Sequence, residues 1–143
     1  MTANPLSSMT YLKQFIRYSR EQGIDVEEIS NKITSSHHQD FVPFDDLKLL
    51  ISDIKQRSEK PWLGLHFAEK IQISSHGSLG FAVSHGINLN ECLSLISRYY
   101  QTRLQAIEIK GFVHRDTYQL TISETCDWHP IRVLLYEVLI SSL

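Results

Sequence analysis

The feature that most constrains this chain is a change of hydrophobic period near Gln101. Before it, apolar residues recur at i, i+3, i+4 and i+7, and beyond it they alternate with polar ones. A helix turns one stripe to a core and a half-buried strand turns every second residue, so both element types are required. The expected fold is α+β: a mainly helical N-terminal half, then a small antiparallel sheet and a packed C-terminal helix.

In the helical half, Leu12, Phe15 and Ile16 share a face between Met9 and Gln22, with Thr10 available as a cap and Gly23 as a stop. Asp25 is placed to cap a second helix carrying Val26, Ile29 and Ile33, and the polar stretch 34–40 is expected as a loop. From Asp45 to Arg57 the stripe Leu47, Leu50, Ile51 and Ile54 has acids at its start and bases at its end, as the helix dipole prefers. A short helix after Pro61 carries Trp62, Leu65 and Phe67. The glycine-bounded run 76–86 fits a tight helical turn and a short buried strand equally. Asn88 and Glu91 then form a capping-box variant, opening a helix with Leu89, Cys92, Leu93, Ile96, Tyr99 and Tyr100 on its stripe.

Strict alternation places strands over Leu104 to Lys110 and Phe112 to Ser123, with Gly111 between them and Arg115-Asp116 turning the chain back. Pro130 stands at the start of a last helix whose stripe is Ile131, Leu134, Leu135 and Val138. That pattern reaches Leu143 without a glycine, proline or basic cap, the signature of a domain that continues further. An unfinished helix displaying Leu134, Leu135, Val138 and Leu139 would leave apolar surface for a second copy, so a homodimer is expected.

With 42% hydrophobic and 21% charged residues in 143, the chain suits one soluble domain spanning 1–143. Its 14 basic residues against 16 acidic ones give a net charge of −2, without the basic excess that drives phosphate-backbone binding. Cys92 and Cys126 are isolated, residues 1–8 lack a signal peptide's n-region and apolar core, and no apolar run reaches about 18 residues. A cytoplasmic protein without a membrane partner is expected.

Seven histidines invite a metal or catalytic reading that their spacing does not support. His37 and His38 are adjacent and diverge on regular structure, and no His-x-x-x-His, His-Glu-x-x-His or Cys/His cluster occurs. Gly77-Ser78-Leu79-Gly80 is neither the Gly-x-Ser-x-Gly nucleophile elbow nor a phosphate loop, so a small His-dependent hydrolase is the weaker alternative. Neither metal nor cofactor is implied. A ligand pocket has better support, because Tyr99 offers an apolar wall and Arg103 a carboxylate anchor beside a glycine-bounded segment. The candidate lining is Phe81, His85, Tyr99 and Arg103, between the helix from Asn88 and the sheet.

Taken in order, Pro61-Trp62-Leu63-Gly64-Leu65, Gly77-Ser78-Leu79-Gly80-Phe81-Ala82, the helix Asn88 to Tyr100 and Arg132 to Glu137 form a pattern. It resembles the N-terminal arabinose-binding-like domain of AraC-type transcription regulators over roughly Leu12 to Leu143. The resemblance implies sensing of a small-molecule effector, oligomerisation, or both, passed to a C-terminal helix-turn-helix domain that is absent from these 143 residues. It identifies no effector. A stand-alone sensor or interaction domain is the other reading that the same residues allow.

Overall fold

A computed structural model describes residues 4–36, 40–70, 85–86 and 88–142. The expected Gly77–Ala82 segment, Phe81 included, and the His37-His38 pair lie outside the described residues. The chain divides into two compact units, one formed by Met1–Ile71 with Trp128–Leu143, the other by Gln72–Asp127.

The first unit opens with β1 (Leu6–Ser8) and α1 (Met9–Glu21). Ser8, not Thr10, is the N-cap of α1, its hydroxyl accepting from the Thr10 amide at 3.3 Å. The helix ends in a Schellman motif: the Gly23 amide reaches Arg20 O at 3.1 Å and the Ile24 amide reaches Ser19 O at 2.8 Å. Gly23 takes φ 71°, a conformation that a Cβ would strain. Asp25 caps α2 (Glu27–Ser36) through the Glu27 amide at 3.1 Å.

That helix runs to Ser36, three residues into the stretch 34–40 expected as a loop. Thr34, Ser35 and Ser36 turn their hydroxyls back onto carbonyls of the preceding turn, which lets polar residues remain helical without a buried stripe. The chain then forms β2 (Phe41–Pro43), antiparallel to β1 with Ser7 opposite Val42. This pairing of two three-residue strands was not foreseen, since neither is long enough to show a period.

Helix α3 (Phe44–Arg57) buries Phe44, Leu47, Leu50, Ile51 and Ile54, the expected stripe. In α4 (Leu63–Lys70) the buried face is Leu63, Gly64, Phe67 and Ala68. Of the three apolar residues expected on this helix, Phe67 is buried, while Trp62 and Leu65 are 67% and 41% exposed. The helix is rolled so that Gly64 faces α6 (Arg132–Ser142), where a Cβ on Gly64 would lie 2.5 Å from the Leu134 carbonyl oxygen. Phe67 stacks on Phe15 with ring centres 3.8 Å apart and meets Tyr18 edge-on at 5.3 Å.

Pro130 precedes α6 by two residues, and the Ile131 amide bonds to Trp128 O at 2.8 Å. Leu134, Leu135, Val138 and Leu139 are all buried, with no more than 8% exposure, together with the fully enclosed Trp128 and Ile131. The expectation that this helix displays those four side chains is therefore overturned: α4 packs against them, and the exposed apolar residues are Val133 and Ile140.

The second unit contains α5 (Leu89–Arg103), β3 (Ile107–His114) and β4 (Thr117–Glu124). Asn88 caps α5 as expected, accepting from the Glu91 amide at 2.9 Å. Among its described stripe residues only Tyr100 is buried, and Leu89 is 69% exposed. β3 and β4 form an antiparallel hairpin pairing Ile107 with Glu124 and His114 with Thr117. Arg115-Asp116 make a two-residue turn with Arg115 at φ 54°. Gly111 does not separate two strands; β3 runs straight through it.

Candidate functional site

Helix α5 has two usable faces. Glu91, Ser94, Leu95 and Arg98 stand at i, i+3, i+4 and i+7, one continuous line along the helix. Tyr99 is rotated from Arg98 by roughly 100° and shares its side of the helix with Arg103. The Arg103 guanidinium lies over the Tyr99 ring, 5.1 Å from its centre, a cation–π pair that holds the charge against an aromatic face. Two of the four expected pocket residues are thus brought together. His85 is exposed in a turn ahead of the helix.

A cleft of about 440 Å³ lies between the first line of side chains and the hairpin. Asn88, Asn90, Glu91, Ser94, Leu95 and Arg98 form its helical wall, and Gly111 with Tyr118 forms the other. The hairpin is held to the helix by Gln101, whose Nε2 donates to Ile109 O at 2.6 Å. Opposite the cleft, the Tyr118 ring crosses directly over Gly111, so closely that a Cβ there would collide with its hydroxyl and ring. Glycine therefore lets the Tyr118 ring reach across from β4 onto β3, and both residues line the cleft.

The sequence points to a pocket between this helix and the sheet with Phe81, His85, Tyr99 and Arg103 as its lining, and none of the described ones lines this cleft. Polar residues on a helix face read as solvent-facing, and nothing local marks that a hairpin some ten residues later will stand across from them. Gly111 was the available signal, since a glycine inside a strand often marks close approach of another group.

In the first unit, Tyr18, His66, Lys60 and Gln22 form a polar cluster. The Tyr18 hydroxyl is hydrogen-bonded to His66 Nδ1, while Lys60 Nζ lies 3.2 Å from Nε2 of the same ring and donates to Gln22 Oε1 at 2.7 Å. Burial pushes the Tyr18 hydroxyl above a tyrosine's ordinary pKa. On the surface, Arg20 grips Glu27 with two bonds of 2.7 and 3.2 Å, and this hydrogen bonding holds the Glu27 carboxyl below the usual range.

Among the described residues no group of three or more His, Cys, Asp or Glu is placed to hold a metal ion. No helix among them is long and apolar enough to cross a membrane. No curated protein matches the chain. Residues 27–143, from the first turn of α2 to the end and including the whole cleft, match the N-terminal arabinose-binding domain of AraC transcription regulators, and the chain belongs to that family.

Proposed function

We propose that this domain senses a small-molecule effector on helix α5 and controls an attached helix-turn-helix DNA-binding domain in the intact regulator. The observation that carries the reading is the cleft beside α5, which lies within the family match and falls in the volume range of small-ligand sites. Tyr99 and Arg103 supply a second candidate contact on the neighbouring face of the same helix. Thermal-shift screening with amino acids, short acids, fatty acids and L-arabinose tests it. A true effector raises the melting temperature of the parent and loses that effect in Tyr99→Ala, Arg103→Ala or Arg98→Gln. A ligand that stabilises all three variants as well as the parent sits elsewhere.

DNA contact belongs to the attached domain in this reading. The 143 residues carry a net charge of −2, and α5 and α6 offer no row of basic side chains for phosphates. The isolated chain is expected to leave promoter DNA unshifted at physiological salt, and the regulator extended through its reader to bind it. Sequence-selective, salt-sensitive binding by residues 1–143 alone would refute this division. Homodimerisation is part of the same proposal, with Val133 and Ile140, seven residues apart on one exposed face of α6, as the apolar surface available for it. Sedimentation showing only monomer at high micromolar concentration counts against it.

A further inference from the structure

Four side chains on the α5–hairpin cleft are hydrogen-bond donors that no other described residue engages: Asn90, Ser94 and Arg98 from the helix, and Tyr118 from β4. Arg98 is the cleft's one cation among its described lining residues and Glu91 its one anion, two turns apart on the same helical line. A donor that meets no protein acceptor is satisfied by water or by a ligand. Here a guanidinium, a hydroxyl one turn before it and a phenol from the facing strand are grouped at one recess.

We propose that this cleft binds a small carboxylate bearing a hydrogen-bond donor at its far end, such as a hydroxy acid or an amino acid. The inference rests on the reading of the domain as an effector sensor. Arg98 takes the carboxylate, because a planar guanidinium matches its two oxygens with parallel N–H donors, and Ser94 or Tyr118 adds a third donor. Glu91 and the side-chain oxygen of Asn90 line the other end, where they receive the hydroxyl or ammonium group. A phosphate dianion fits less well, since a single guanidinium must then offset two charges while Glu91 repels them. Tyr118 holds its place on the cleft because Gly111 leaves room for its ring.

The test is a nitrogen-15 NMR titration of the 143-residue chain with matched pairs, lactate with lactamide and 4-aminobutyrate with 4-aminobutanamide, and with L-arabinose as a neutral probe. The carboxylates are expected to shift the Arg98 side-chain Nε–H signal and the Ser94 and Gly111 amides, and to bind at least about tenfold more tightly than their amides. Arg98→Gln is expected to abolish that preference and Arg17→Gln, an exposed position on α1, to keep it, while Arg103→Gln tests the neighbouring face. Arg98 is exposed, so its replacement leaves the fold intact, which circular dichroism verifies. Equal binding of acid and amide, arabinose shifting the same amides regardless of Arg98, or loss only in Arg103→Gln would overturn the carboxylate assignment while leaving the sensor reading in place. Absence of any shift on α5 or the hairpin with every probe would overturn both.

Discussion

Replacing Gly64 with alanine sets two well-known effects against each other, and the structure decides which prevails. On helix propensity alone, alanine stabilises by about 1 kcal/mol. The added Cβ, however, would lie 2.5 Å from the Leu134 carbonyl oxygen, 2.6 Å from Glu137 Oε2 and 2.7 Å from Glu137 Cβ. The Glu137 carboxylate can swing away, but its Cβ and the Leu134 carbonyl are fixed to the helix and move only if α6 moves. Overpacking of this kind costs about 1–3 kcal/mol. A second loss follows from Gly64 being the second residue of α4, whose amide has no partner within its own helix. Glu137 Oε2 accepts from it at 3.2 Å, a cap supplied by another helix, and pushing the helices apart forfeits that charge-assisted bond, worth about 1.5–3 kcal/mol.

The expected net destabilisation is about 2–4 kcal/mol, or a fall in melting temperature of about 3 °C per kcal/mol for a chain of this length. Urea unfolding followed by tryptophan fluorescence is a suitable assay, because Trp128 is fully enclosed in the same unit while Trp62 is already mostly exposed. Gly64→Ala in a Glu137→Ala background separates the contributions: removing the carboxylate relieves the clash with Oε2 but not those with the Leu134 carbonyl and the Cβ that alanine keeps, so only part of the loss should return. A Gly64→Ala protein as stable as the parent, or more stable by the propensity difference, would refute the close approach of α4 and α6.

Gly111→Ala should cost little stability, since its clash is with the far end of the Tyr118 side chain, yet it should weaken ligand binding at the cleft by displacing that ring; unchanged affinity in a titration would contradict the role given to Tyr118. Asn88→Ala is expected to cost about 1 kcal/mol in urea unfolding and Asn88→Gly only a few tenths, because glycine is itself an acceptable cap. Tyr18 has its folded pKa raised, so its contribution is fully present below the unfolded value of about 10 and is lost as pH rises through the folded value. Stability measured against pH should therefore fall on the alkaline side, and Tyr18→Phe should flatten that limb while costing about 1 kcal/mol at neutral pH from the lost bond to His66; an alkaline limb unchanged in the variant would exclude Tyr18 as its source.

The long periodic segments were legible because each contains enough turns to declare a face. Leu47, Leu50, Ile51 and Ile54 name the buried side of α3, and the alternation of Tyr118, Leu120 and Ile122 names β4. What escaped was set by partners distant in sequence. The three-residue strands β1 and β2 exist because the Met9 amide bonds to Asp40 O and the Phe44 amide to Pro5 O, each at 2.8 Å. The roll of α4 likewise comes from α6 some seventy residues later. Hydrophobicity favours Trp62 and Leu65 as the inward face, but close packing favours the face with no side chain at Gly64, and packing wins.

The candidate site divides in the same way. Aromatic and cationic residues drew attention to Tyr99 and Arg103, and these do meet, as neighbours at i and i+4 on one helix must be able to. The cleft lies on the adjacent face, among Asn90, Glu91, Ser94 and Arg98, residue types that on any isolated amphipathic helix belong to solvent. Their meaning changes only when the hairpin is fastened across from them, by Gln101 reaching the carbonyl of Ile109 and by a glycine that lets Tyr118 lie flat. A polar helix face therefore becomes the wall of a cleft through contacts made outside the helix, and local pattern cannot distinguish it from a solvated one. A composition that looks like surface is also what a cleft for a small charged ligand requires, because unengaged donors must remain wet until the ligand replaces the water. The carboxylate proposed for this cleft is accordingly read from the hydrogen-bonding groups on the polar face of α5, not from its apolar stripe.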